Sequence, residues 1–171
     1  MQYSKDICCR YLNLPHIPKH IINNISKFYA NPTNISIARD SASEYVKLND
    51  PDNPDNIPYA WTDLNNEILN EWCQNNICED MYFAFQIIQG KNGNLKMHKD
   101  KGTRQKLIYL VETGGENVVT NFYDDDKKTK KQSIVIEPNR WHIMDVTQFH
   151  EVCGIEKNKT RLSITGRVFP G

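Results

Sequence analysis

From Tyr82 onward the hydrophobic pattern has a period of two, and eight short runs of strand-forming residues follow one another with turn chemistry between them. No other feature restricts the fold as much. The runs are 82–89, 95–100, 106–112, 117–123, 133–137, 141–146, 150–155 and 160–169. Asn92-Gly93 suits a tight hairpin, Thr113-Gly114-Gly115-Glu116 a second turn, and the charged stretch 124–131 a third. Eight closely spaced strands in about 90 residues, preceded by helices, predict a chain that is mainly β with flanking helices (α+β). The expected core is a double-stranded β-helix, or jelly roll, of about eight strands. A sandwich of immunoglobulin type competes, but it has no use for N-terminal helices.

The first half supplies those helices. Ile21, Ile22, Ile25, Phe28 and Tyr29 form an amphipathic stripe, with Pro18 near the first turn, where its missing N–H costs nothing, and Asn31-Pro32 as the stop. Residues 34–39 are a candidate short strand, and 49–58 hold too much Pro, Asn and Asp for either regular element. Thr62 and Asp63 offer an N-cap, after which Leu64, Ile68, Leu69 and Trp72 recur on one helical face up to about Asn76. At 171 residues the whole is expected to be a single domain, with 1–81 as helical support and loops and 82–170 as the jelly-roll core.

Composition excludes more than it identifies. Lys plus Arg and Asp plus Glu are both 21, which argues against a general nucleic-acid binder, and the longest apolar runs fall far short of the roughly 20 residues of a membrane helix. The first residues lack the apolar stretch of a secretory signal, so the cytosol is the expected location. Five cysteines, Cys8, Cys9, Cys73, Cys78 and Cys153, show no C-x-x-C pairing and read as reduced thiols. The charge is uneven: residues 1–85 hold 6 Lys or Arg against 11 Asp or Glu, and residues 86–171 hold 15 against 10. Lys96, Lys99, Lys101, Arg104 and Lys106 crowd one hairpin, either to attract an anion or as solvated lysines guarding a strand edge.

The residues that point to chemistry lie on these strands. In His98-Lys99-Asp100 the histidine and the carboxylate stand at i and i+2, the same face of a strand, so both can reach one ion. A third ligand can come from His150, in His150-Glu151-Val152, which a jelly roll places beside the first strand. Two histidines and one carboxylate on one face of a metal leave the opposite positions open, as non-haem Fe(II) oxygenases require. Arg161 follows eleven positions after His150 and opens the closing strand, where an inward guanidinium calls for an anion and fits a carboxylate with both arms of its fork.

H-x-D, about fifty residues, H-E-V and then an arginine opening R-L-S-I-T-G together resemble the iron(II)- and 2-oxoglutarate-dependent dioxygenases, in particular the prolyl 4-hydroxylase-like branch. The similarity covers roughly residues 82–169. It implies that His98, Asp100 and His150 hold Fe(II), that Arg161 binds the distal carboxylate of 2-oxoglutarate, and that Tyr109 places its hydroxyl on that same carboxylate. Gly114-Gly115-Glu116 looks like the family's structural turn. The implied reaction decarboxylates 2-oxoglutarate to succinate and CO2 with dioxygen and hydroxylates a C–H bond, with ascorbate as an accessory reductant. The implied substrate is a prolyl or similar side chain of a peptide, a protein or a free amino acid.

The chain departs from that branch where Arg167 replaces a usual tryptophan six positions after Arg161, and where no tyrosine stands near Ile87 and Ile88. Arg104 and Arg167 are the candidate substrate contacts. Two other functions compete. The same chemistry on a nucleobase is one, although the second arginine pattern R-x-N-x-T-x-R of such enzymes is absent; a jelly roll that binds metal without turnover is the other, and it would have no need of an oxoacid anchor.

Overall fold

A computed structural model describes residues 7–29, 66–89 and 95–168. They form strand β1 (Cys9–Leu12), helices α1 (Lys19–Tyr29) and α2 (Glu67–Asn76), and strands β2 (Tyr82–Gln89), β3 (Leu95–His98), β4 (Gln105–Thr113), β5 (Val119–Tyr123), β6 (Lys130–Ile134), β7 (Trp141–Asp145), β8 (Phe149–Cys153) and β9 (Thr160–Arg167). The strands make a five-stranded sheet, β1-β7-β4-β9-β2, and a four-stranded sheet, β3-β8-β5-β6. Every pairing between these strands is antiparallel.

The pairing is nested. β2 pairs with β9, β3 with β8, β4 with β7 and β5 with β6, so the last eight strands are one long hairpin rolled up across two sheets. That winding is a jelly roll, the expected fold, and not an immunoglobulin sandwich. All eight expected runs contain strands; the run at 82–89 keeps its expected bounds and the others shift at one or both ends. The run expected at 133–137 slides back to Lys130–Ile134 because the turn before it is tight: Asp124 N–H donates to Thr129 O, and Asp126 Oδ1 accepts from the N–H groups of Lys128 and Thr129. The second run stops at His98 and not at Asp100. β1 was not expected; four residues are too few to show a period, and they are strand only because β7 offers an edge, pairing Cys9 with Met144 and Leu12 with Trp141.

Apolar residues fill two layers. Ile17, Ile21, Ile25, Leu69 and Cys73 from the helical half pack on the outer face of the larger sheet, against Phe83, Phe85, Leu107, Trp141, Leu162 and Ile164. Between the sheets lie Ile108, Leu110, Phe122, Met144 and Val146, and beside them Ile88, Val118, Val152 and Ile155. Strand alternation sorts the residues: on β4, Leu107 faces the helices and Ile108 faces the roll.

Pro18 precedes α1 and its carbonyl accepts from Ile21 and Ile22 N–H, as expected for a proline at a helix entry. α2 differs from its expected form. Its N-cap is Asn66, whose Oδ1 accepts from Leu69 N–H at 3.0 Å, and Ile68, expected on the packed face, is 54% exposed while Leu69 and Cys73 are buried. The proposed caps Thr62 and Asp63, Leu64, the strand at 34–39, the loop at 49–58, Asn92-Gly93 and the tail after Val168 lie outside the described residues. Asn66 also donates from Nδ2 to Asn24 Oδ1, tying α2 to α1. Asn66→Ala is therefore expected to cost about 1 kcal/mol, a drop in Tm of roughly 2–4 °C by thermal denaturation.

Candidate metal centre

His98 and His150 stand directly opposite each other across the β3–β8 ladder, with ring centroids 4.3 Å apart. Asp100 lies two residues beyond the end of β3, so its approach to His98 comes from the loop and not from the pleat. Its backbone N–H donates to Val146 O at 3.1 Å, which fixes that loop against the end of β7. Asp100 Oδ1 is 3.3 Å from His98 Nε2 and 3.6 Å from His150 Nε2, and the three donor atoms lie within 4.8 Å of one another. Donors at right angles around an ion, each about 2.1 Å from it, stand about 3.0 Å apart, and the two carboxylate–imidazole distances come near that value.

The hydrogen-bond chemistry fits as well. His150 Nδ1 is 2.9 Å from Gln148 O, and because a carbonyl only accepts, Nδ1 carries the hydrogen and Nε2 is the ligating nitrogen. Two ring nitrogens turned on one carboxylate oxygen define a place for a cation. Burial opposes the charge on Asp100, but with no metal bound an Nε2–H of His150 and of His98 facing its oxygen, together with the Lys106 ammonium, would outweigh it and hold the carboxyl well below the usual carboxylate range; a metal would take the place of those hydrogens. Lys106 Nζ is 3.1 Å from Asp100 Oδ2.

Lys106 has a place that neither reading of the hairpin lysines gave it. Counted among the lysines of the hairpin, it is 9% exposed and reaches into the roll, whereas Lys99 pairs with exposed Asp125 and Lys101 and Arg104 lie on the surface. The local cluster is thus not one patch. Parity along β4 was the available signal: Lys106 shares a face with Ile108 and Leu110.

On β9 alternation turns Leu162 and Ile164 to the helices and Arg161, Ser163 and Thr165 between the sheets. Arg161 is 3% exposed; its Nη1 donates to Thr113 O at 3.3 Å, and no carboxylate among the described residues pairs with it. Burial pulls its pKa down to about 10. The hydroxyls of Ser163 and Thr165, 3% and 2% exposed, have no hydrogen-bond partner among the described residues. A buried cation and two unsatisfied hydroxyls on one strand face are a fit for a bound anion. Sequence reasoning missed both hydroxyls, although they stand at i+2 and i+4 from Arg161. The expected structural turn packs on this arginine: a Cβ at Gly114, where φ is +87°, would lie 3.1 Å from Arg161 Cβ and from Ile155 Cγ2.

Tyr109 is not part of this group. It lies on the helix-facing side of β4 with Leu107, its ring 5.1 Å from Trp141 and its hydroxyl in contact with the backbone of Ile17. The expected role on the cosubstrate carboxylate fails on parity. Arg104 is exposed, and only its backbone O meets the site's surroundings, accepting from Val146 N–H. Arg167 shares the inward parity of Arg161 and is half-buried at the far end of β9, where burial lowers its pKa.

No protein-family model and no curated protein matches the chain. Solved structures do resemble it at low identity. A 2OG-Fe(II) oxygenase family oxidoreductase from Burkholderia pseudomallei aligns over 50% of this chain and 42% of its own at 10% identity, TM-score 0.41. A non-heme monooxygenase, ThoJ, in a nickel complex aligns over 61% and 51% at 10% identity, TM-score 0.39. Procruciferin, an 11S globulin from Brassica napus, aligns over 53% and 21% at 6% identity, TM-score 0.39. The chain thus spans about half the length of the first two. Oxygenases and a globulin share the likeness, so the function of the site rests on its own atoms. Among the described residues no helix is long and apolar enough to cross a membrane.

Proposed function

We propose that residues 1–171 act as one Fe(II)- and 2-oxoglutarate-dependent dioxygenase domain that hydroxylates an amino-acid side chain, with a peptidyl prolyl residue as the first candidate. One observation carries the reading: the three-donor group of His98, Asp100 and His150 shares the interior of the roll with a buried guanidinium, Arg161, that has no carboxylate among the described residues. A module that only held a metal would gain nothing from that arginine, because an unpaired buried charge costs stability.

His98, Asp100 and His150 would hold Fe(II), and Arg161 would receive the distal carboxylate of 2-oxoglutarate, helped by the hydroxyls of Ser163 and Thr165. Bound there, the metal supplies the chemistry by which dioxygen oxidises 2-oxoglutarate to succinate and CO2 and gives its second oxygen to a C–H bond. The chain's own part is geometric. Gln148 O fixes the tautomer of His150, Lys106 neutralises part of the Asp100 charge, and Phe122, its ring 5.8 Å from His150, covers one side of the site with an apolar wall. Arg167 is the candidate contact for a substrate entering from its end of β9, with Arg104 outside it. Five free thiols suit the reducing cytosol.

The test is turnover. With Fe(II), 2-oxoglutarate and ascorbate the chain is expected to release succinate slowly without substrate, and faster with a proline-containing peptide that gains one oxygen atom by mass spectrometry. Oxidation confined to methylated oligonucleotides would move the substrate to nucleobases. No succinate under any condition would end the dioxygenase reading.

A further inference from the structure

The two oxygens of Asp100 are used differently. Oδ1 faces both histidine nitrogens, at 3.3 and 3.6 Å, and Oδ2 faces the Lys106 ammonium at 3.1 Å. A carboxylate left to turn about its own bond can present both oxygens to one ion and occupy two of its positions. Here the second oxygen is engaged. We infer that Lys106 is a positioning residue that keeps Asp100 bound through one oxygen, so that three positions of a six-coordinate metal stay open. The inference rests on the metal-centre reading above.

The pair is built into the backbone. Val146, fully buried, accepts from Asp100 N–H at 3.1 Å and donates its own N–H to Arg104 O at 3.0 Å, so one residue clamps both the loop of Asp100 and the lead into β4. Lys106 then stands two residues on, paired across β4–β7 with Met144 and turned inward with Ile108. Its stem is buried among apolar neighbours, and its head meets a carboxylate oxygen rather than water. A lysine suits the task because it offers a point charge to a single oxygen, where the fork of an arginine would take both.

Mn(II) is the probe, read by water-proton relaxivity per bound ion in the full chain. With one-oxygen binding the parent holds three waters on the open positions. Lys106→Met frees Oδ2 to join the ion, and the relaxivity is expected to fall by about one third while one ion per chain still binds. Lys106→Gln keeps an N–H donor for Oδ2 without the charge and is expected to stay near the parent value. Should the methionine variant fail to fold by circular dichroism, Lys106→Ala has the same expected fall. Unchanged relaxivity in the folded apolar variant, with unchanged metal affinity, would overturn the inference and leave the metal centre standing. A parent chain that binds no Mn(II) would overturn both.

Discussion

Replacing His150 with alanine is expected to leave a folded chain that no longer retains a metal ion. The imidazole is the most enclosed of the three donors: its side chain is 3% exposed against 11% for His98 and for Asp100. Loss of one ligand of three removes a full metal bond, and even the outer partners of such ligands are worth 10–100-fold in affinity. Metal content after dialysis should therefore fall from one ion per chain to under about a tenth. His98→Ala should lose the metal equally. The two differ in stability, because His150 lies against Phe122 between the sheets and its removal opens a void, whereas His98 ends a short strand. Elemental analysis and circular dichroism on both variants check the pair of outcomes. Full metal content in both would discard the triad.

That His98 and His150 lie together was legible because the strands themselves show a period of two, whereas Asp100 joins them from the loop after β3 and not through the pleat. The period is clear where one face meets water, as on β8, where buried His150 and Val152 alternate with half-buried Phe149, Glu151 and Cys153. It vanishes on β4. There Lys106, Leu107, Ile108, Tyr109 and Leu110 are all buried, since helices cover one face of the sheet and the second sheet covers the other. Sequence therefore shows that β4 is a strand without showing which residues face the roll. That ambiguity left two residues of β4 unplaced: the resemblance put Tyr109 on the cosubstrate although it faces Trp141, and Lys106, read either as drawing an anion or as guarding a strand edge, faces Asp100. β1 was illegible for another reason, being strand only by its long-range pairing with β7.

The arginine makes the sharper prediction, because its two roles pull stability in opposite directions. Arg161 is a base whose folded-state pKa, about 10, is below its ordinary value of 12.5. Burial thus disfavours its charged form in the folded chain, the penalty is present in full at neutral pH, and it is relieved only as pH rises through about 10. Two and a half units correspond to about 3 kcal/mol. Arg161→Met, which keeps an unbranched stem of similar length, is expected to raise the Tm of the ligand-free chain by a few degrees at pH 7, less than the full figure because the bond to Thr113 O is lost. The same variant should bind 2-oxoglutarate at least tenfold more weakly, as the loss of hydrogen bonds to a charged group requires. Tyr109→Phe should do the reverse, leaving 2-oxoglutarate affinity unchanged while losing the contact with Ile17. Calorimetry and thermal denaturation on the two variants separate the possibilities. A lower Tm with unchanged affinity in Arg161→Met would make this arginine a structural residue and pass the anchor to Arg167. A higher Tm with lost affinity is what a buried charge held for an anionic ligand produces, since its cost in the empty protein is offset only when the ligand binds.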